Sequence, residues 1–273
     1  MDFSFIKLTE LYKALLNKGF CFITLDKYLS EAGGLNTIVL RHDVEKRYDN
    51  ALKFAQIQNE LGIKGTYYFR ILKNSYNPDI VKKIADLGHE IGYHYDDLTF
   101  CKGNFEEAIE RFERNLNRLR SITKVKTICM DGSPRSKYDN KDLWKKYDYK
   151  AFGIESEPYF NINFDELFYL TDTGRRWDGW KTSLRDKVPQ QEKWIKEGLV
   201  FHSTDDIILA ANEGRLPDKI MFTFHPQRWN DKPLPWINEL VLQNVKNVAK
   251  RFLVKVRSQR NTEYNLTVGH SEK

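Results

Sequence analysis

Apolar positions along this chain recur in two periods, and the two alternate. Leu8, Leu11, Tyr12 and Leu15 return at helical spacing and stop at Gly19, which predicts an amphipathic helix. The run from Phe20 to Leu25 predicts a strand, and Thr37 to Val44 a second. Ala51 to Leu61 is then helical up to Gly62, and Thr66 to Ile71 is extended. Pro78 behind Asn77 opens a helix with Ile80, Val81, Ile84 and Leu87 on one face, closed by Gly88. The stretch from Gly88 to Leu98 is the strand that follows. Asn104 and Glu107 form a capping pair for a long helix burying Phe105, Ile109, Phe112, Leu116 and Leu119. Val125 to Met130 returns as a strand. From Lys141 to about Gln191 the pattern is less regular, with strands expected near Tyr149 to Ile154 and Leu167 to Thr171. Asp205 to Ala211 is a helix and Lys219 to Phe224 a strand. Pro235 opens a last helix whose apolar positions are Trp236, Leu240, Val241, Val245, Val248 and Phe252.

Strands alternating with helices are the pattern of a parallel sheet built from βαβ units. No glycine-rich phosphate loop of the dinucleotide or P-loop type is present, so a single-domain distorted (β/α) barrel is preferred over an open doubly wound sheet. The barrel is assigned to residues 1–260, with 261–273 as a flexible tail.

Composition narrows the setting. The chain has 273 residues, 41% hydrophobic and 30% charged, and no stretch is apolar enough to span a bilayer. The N-terminus has Lys7 and Glu10 among its apolar residues and does not read as a signal peptide. Three widely spaced cysteines, Cys21, Cys101 and Cys129, suit free thiols, and a cytoplasmic setting is expected. The net charge of +6 collects toward Lys246, Lys250, Arg251, Lys255, Arg257 and Arg260 without a nucleic-acid reading motif. A solvated helix face is the simpler account of that cluster, and peripheral contact with anionic lipid the alternative.

Polar residues gather where the predicted strands end, the place where barrel loops converge. They are Arg41, His42, Asp43 and Glu45, then Arg70, then His94, Tyr95, Asp96 and Asp97, then Asp131, Thr171 and Asp172, and finally His225. Strand alternation puts Arg41, Asp43 and Glu45 on one face and Leu40, His42 and Val44 on the other. Each could separately be a cap or an ion pair. Together they form an acidic, histidine-rich cluster suited to metal-assisted or acid–base chemistry.

Three segments, Arg41-His42-Asp43-Val44-Glu45, Gly88-His89-Glu90-Ile91-Gly92-Tyr93-His94 and Phe222-Thr223-Phe224-His225-Pro226, resemble in order and spacing the NodB-homology polysaccharide deacetylases. Gly132-Ser133-Pro134, Thr171 to Trp177 and His225 to Trp229 are similar to a WbmS-like branch associated with O-antigen clusters. The resemblance implies a distorted β/α barrel that removes an acetyl group from a sugar with the help of a divalent metal. It implies Asp43 as general base, Glu45 and His94 as metal ligands, and His225 as the acid that protonates the leaving group. His89 is structural by the same comparison. Leu98 stands where the family carries a second histidine, and leucine cannot ligate. Asp96, Asp97 and Asp131 are the carboxylates that could complete the shell, and Asp131 is taken as the third ligand. Zinc is the expected ion, with manganese or magnesium suited to so oxygen-rich a set. Arg70, Tyr95, Asp172, Arg175, Arg176 and Trp177, with Trp180, are expected to contact the sugar, and a packed loop anchored by the two tryptophans is the alternative for the last of these. The expected partner is an acetylated sugar or surface-glycan precursor. Two other readings stay open: a barrel that binds sugar without turning it over, and a glycosidase using Asp43 or Glu45 with Asp131.

Overall fold

The computed structural model describes residues 1–31, 33–133, 136–179 and 188–248. The expected tail, Phe252 and Trp180 lie outside them.

The elements run α1 (Phe5–Asn17), β1 (Cys21–Ile23), α2 (Leu25–Glu31), β2 (Thr37–Val44), α3 (Tyr48–Glu60), β3 (Thr66–Phe69), α4 (Pro78–Asp86), β4 (Glu90–Tyr95), α5 (Asp97–Phe100), α6 (Phe105–Arg120) and β5 (Ile128–Met130). After two short 3₁₀ segments come α7 (Pro158–Asn161), β6 (Phe168–Thr171), α8 (Gln191–Lys196), α9 (Thr204–Asn212) and β7 (Lys219–Phe224). A last helix, α10, covers 233–248.

All seven strands are parallel and lie in the order β5-β4-β3-β2-β7-β6, with β1 beside the first half of β2. The sheet is a half-barrel. Among the described residues β5 and β6 do not pair, and an isolated bridge from Thr127 to Ser156 extends the β5 edge. Strand β2 is its axis and is buried throughout, because β7 lines one side while β1 and then β3 share the other.

Alternation sorts each strand between two environments. Ile38, Leu40, His42 and Val44 turn toward the helices, where Leu8, Leu11, Tyr12 and Leu15 of α1 and Phe54 of α3 complete the core. Arg41 and Asp43 turn into the half-barrel with Tyr68 and His94 from β3 and β4. Gly92 is required on that inner wall: a Cβ there would sit 2.3 Å from the Tyr68 ring. His42 belongs to the core, stacked on Tyr67 with centroids 4.0 Å apart.

Two expectations are corrected. The stretch near Tyr149 to Ile154 forms no strand: Tyr149–Phe152 is a 3₁₀ turn capped by Asp148, whose carboxylate accepts from the Lys150 N–H. The last helix starts at 233, before Pro235, and buries the opposite face from the one its apolar spacing indicated. Glu239, Gln243 and Asn247 are inside, while Val241, Val245 and Val248 are outside.

Candidate active site

At the C-terminal ends of β2, β4, β5 and β7 four loops bring Asp43, Glu45, His94, Asp131 and His225 together. Arg41 and Asp43, two apart on the inner face of β2, form a bidentate pair: Nε donates to Oδ1 and Nη2 to Oδ2, both at 2.8 Å. Both residues are almost fully buried. Burial pushes the Asp43 carboxyl up, but the Arg41 guanidinium outweighs it and holds the group well below the usual carboxylate range. Asp43 is therefore charged at neutral pH, at some cost in basicity.

His94 ends β4 in register with Cys129 of β5, and its Nδ1 lies 2.9 Å from the Cys129 carbonyl. A carbonyl only accepts, so Nδ1 carries a proton, and in the neutral ring Nε2 presents a bare lone pair. That lone pair lies 4.0 Å from Asp43 Oδ2 and 3.8 Å from Asp131 Oδ2, both beyond hydrogen-bond length. Atoms of Glu45, His94 and Asp131 that can each supply one ligand all fall within 4.8 Å of one another, as do those of Asp43, His94 and Cys129. A lone pair facing anions with no proton between them is a repulsive arrangement, and a cation fits it. The first set suits the ion better, since Arg41 already engages both oxygens of Asp43, whereas the Glu45 side chain is about a third open, at 32%. One imidazole and two carboxylates make a hard, borderline set within reach of zinc and manganese.

Asp131 is oriented from both sides. Its Oδ1 accepts from the Ser133 N–H at 2.8 Å and from the Ser133 hydroxyl, while Arg70 Nη1 lies 3.3 Å from Oδ2. Arg70 also donates to Asp96 at 2.5 Å, and Arg111 of α6 donates to the other Asp96 oxygen at 2.8 Å. Asp97 is drawn away from the cluster: it pairs with Arg111 and accepts from the Tyr93 hydroxyl, and burial raises it to about 7. Leu98 is buried in the apolar core. Of the three carboxylates considered for the third position, Asp131 lies beside His94.

His225 follows β7. Its Nδ1 lies 2.6 Å from Asp172 Oδ1, and Asp172, fully buried, also accepts from the His225 backbone N–H, from Arg228 Nη1 at 3.1 Å and from Trp229 Nε1 at 2.6 Å. Burial works against this carboxylate, but His225 and Arg228 hold it below the usual range. The charged Asp172 places a proton on Nδ1 and fixes the orientation of the ring. His225 Nε2 then points to the cluster, 3.7 Å from Glu45 Oε1, and Gln227 donates to the other Glu45 oxygen at 3.2 Å.

Of the residues expected to touch sugar, Arg70 and Asp172 are at the cluster, each already engaged with a site residue. Tyr95 packs between β4 and α6 against Phe112 and Trp144, its hydroxyl donating to Glu157. Trp177 is 2% exposed and wedged against Phe222 and Phe224, because so large an apolar surface gains more in the core than at a wet wall. Arg175 donates to the Trp236 carbonyl beneath α10, and Arg176 pairs with Asp178. Arg111, Gln227, Arg228 and Trp229 position the site without having been singled out for it. The nearness of the last three to His225 was the available sequence signal; for Arg111 there was none.

No family model and no curated protein matches the chain. Solved structures of similar shape include a CE4 family pseudoenzyme from Bacillus anthracis, 12% identical with a TM-score of 0.42, where the match covers 78% of this chain and 60% of that one. A family 4 carbohydrate esterase from Bacillus anthracis is 14% identical, with a TM-score of 0.41 over 85% of this chain and 83% of that one. A family 4 carbohydrate esterase from Streptomyces lividans, solved in complex with acetate, is 15% identical, with a TM-score of 0.40 over 78% and 91%. The chain spans about three fifths of the pseudoenzyme's length. At these values no residue role or activity passes from those proteins to this one.

Proposed function

We propose that this chain is a divalent-metal-dependent deacetylase acting on an acetylated sugar of a surface-polysaccharide precursor. The observation that carries it is His94 Nε2 facing Glu45, Asp43 and Asp131, with a second histidine, His225, held by Asp172 across the same cluster. The sugar, the acetyl group and the roles of base, acid and ligand come from the resemblance of the motifs; the closeness of these side chains in the fold supports the reading.

Glu45, His94 and Asp131 would hold the ion. When bound it supplies Lewis-acid charge that polarises an acyl carbonyl and acidifies a water. Asp43, kept charged by Arg41, takes the proton of the attacking water. His225, oriented by Asp172, delivers a proton to the departing amine or hydroxyl. Arg70 and Ser133 fix the Asp131 carboxylate with Oδ2 turned toward His94. A glycosidase using these carboxylates needs one of them raised enough to act as an acid. Asp43 and Glu45 are both lowered, Glu45 mainly by His225 against the upward push of burial.

The test combines zinc and manganese titration with acetate release from N- and O-acetylated sugar nucleotides. Asp131→Ala is expected to weaken metal binding, and His225→Ala to leave it unchanged while lowering acetate release by roughly 10²–10⁴-fold. Metal-loaded protein that frees reducing sugar instead of acetate, or that frees neither, refutes the reading.

A further inference from the structure

Helix α10 is inverted relative to an ordinary surface helix. Its polar residues Glu239, Gln243 and Asn247 are buried: Gln243 donates to Glu239 at 2.7 Å, Asn247 donates to the Gly174 carbonyl at 2.9 Å, and Glu239 lies 3.9 Å from Arg47. The contact is close, since a Cβ on Gly174 would sit 2.6 Å from the Asn247 Oδ1. This face rests on the loops that follow β2 and β6, beside the candidate site.

The opposite face carries Leu234, Ile237, Val241, Val245 and Val248, between 48% and 75% exposed. At 100° per residue the five fall within an arc of about 80°. No charged residue lies in that arc, and no described residue covers it. A helix in contact with water turns its polar face outward, and a sustained apolar stripe of this kind marks a contact surface.

We propose that this stripe docks on an anionic membrane surface. Charge selects that occupant. From Lys246 to Arg260 the sequence carries six basic residues and no acidic one, so basic charge follows the apolar stripe along the chain, the combination an anionic interface takes up. Pairing with a second copy along the same segment would bring twelve positive charges together (two copies of six), whereas anionic headgroups neutralise them. Docked this way, the polar face of α10 stays on the barrel, and the mouth of the site is held close to the headgroup layer.

The experiment is co-sedimentation of the full chain with phosphatidylcholine vesicles, with and without phosphatidylglycerol. It reads the surface without reference to turnover, so its failure and that of the deacetylase reading are separable. Binding is expected only with phosphatidylglycerol, weakened by salt, and abolished in the double variant Val241→Asp, Val245→Asp, whose exposed positions leave folding intact by circular dichroism. Lys250→Ala and Arg251→Ala are each expected to weaken it about fivefold, a basic residue near such a surface being worth about 1 kcal/mol. Absence of vesicle binding, binding indifferent to the two aspartates, or a solution dimer that the two aspartates dissociate would each overturn the proposal.

Discussion

Replacing His42 by phenylalanine is expected to flatten the acid limb of the stability curve. His42 is fully buried. Its Nδ1 lies 2.9 Å from the Thr66 carbonyl and must carry the proton, and its Nε2 lies 2.7 Å from the Gln58 amide nitrogen and accepts from it. Gln58 is fixed in turn by the Tyr67 hydroxyl, 2.7 Å from its oxygen. The neutral ring is thus satisfied at both nitrogens, and a second ring proton would face another donor. Burial is the main cause that lowers this imidazole to about 3, against 6.5 when unfolded. Between those values the unfolded chain binds the extra proton. The stabilisation is complete above pH 6.5 and is lost as pH falls toward 3. From pH 7.5 to 4.5 the contribution is about two pH units below 6.5 at 1.36 kcal/mol each, or about 2.7 kcal/mol. Urea denaturation of both proteins across that range measures it. The variant pays a pH-independent cost, roughly 1–3 kcal/mol for the unpaired Thr66 carbonyl and Gln58 amide. Its curve should also be shallower than the wild-type curve by about 2.7 kcal/mol over that range. Parallel curves would mean that the His42 ring charges in the folded protein, and would refute the account of a closed core behind β2.

Two further substitutions probe the polar wall in front of β2. Arg41→Leu leaves Asp43 buried without its cation and is expected to destabilise the fold by about 3–5 kcal/mol in urea denaturation; a loss under ~1 kcal/mol would show that the pair is reached by solvent. Asp172→Asn keeps the shape but removes the charge that fixes the His225 proton. Acetate release should fall by roughly 10²–10⁴-fold with zinc affinity unchanged, and a fall in zinc affinity instead would move His225 from proton delivery to ligation.

Strands β2 and β7 were legible to the residue, since the apolar stretches Ile38 to Leu40 and Ile220 to Phe222 and the alternation that continues beyond them mark extended chain. The Asn104 cap was equally local: its side chain accepts from the Glu106 and Glu107 N–H groups and donates to Glu107. Alternation alone put Arg41 and Asp43 on one face of one strand. The cluster around them was named from strand ends, and its members are neighbours in the folded chain because parallel strands end on one side of a sheet. Other facts required the tertiary structure. Asp131 lies beside His94 while Asp96 and Asp97 do not, because Arg111, from a helix more than ten residues further on, draws the latter two toward α6. The His94 proton is placed by a β5 carbonyl, a consequence of strand register that side-chain identities do not encode. Tyr95 and Trp177 were assigned to a sugar wall because aromatic character is the same in a cleft and in a core; only their neighbours decide. Helix α10 makes the same point most plainly. Its spacing determined that one face is apolar and the other polar. Which face meets the body depended on what the body offered there: Gly174, Arg47 and the rim of a charged site, to which Glu239 and Asn247 could bond and a row of valines could not.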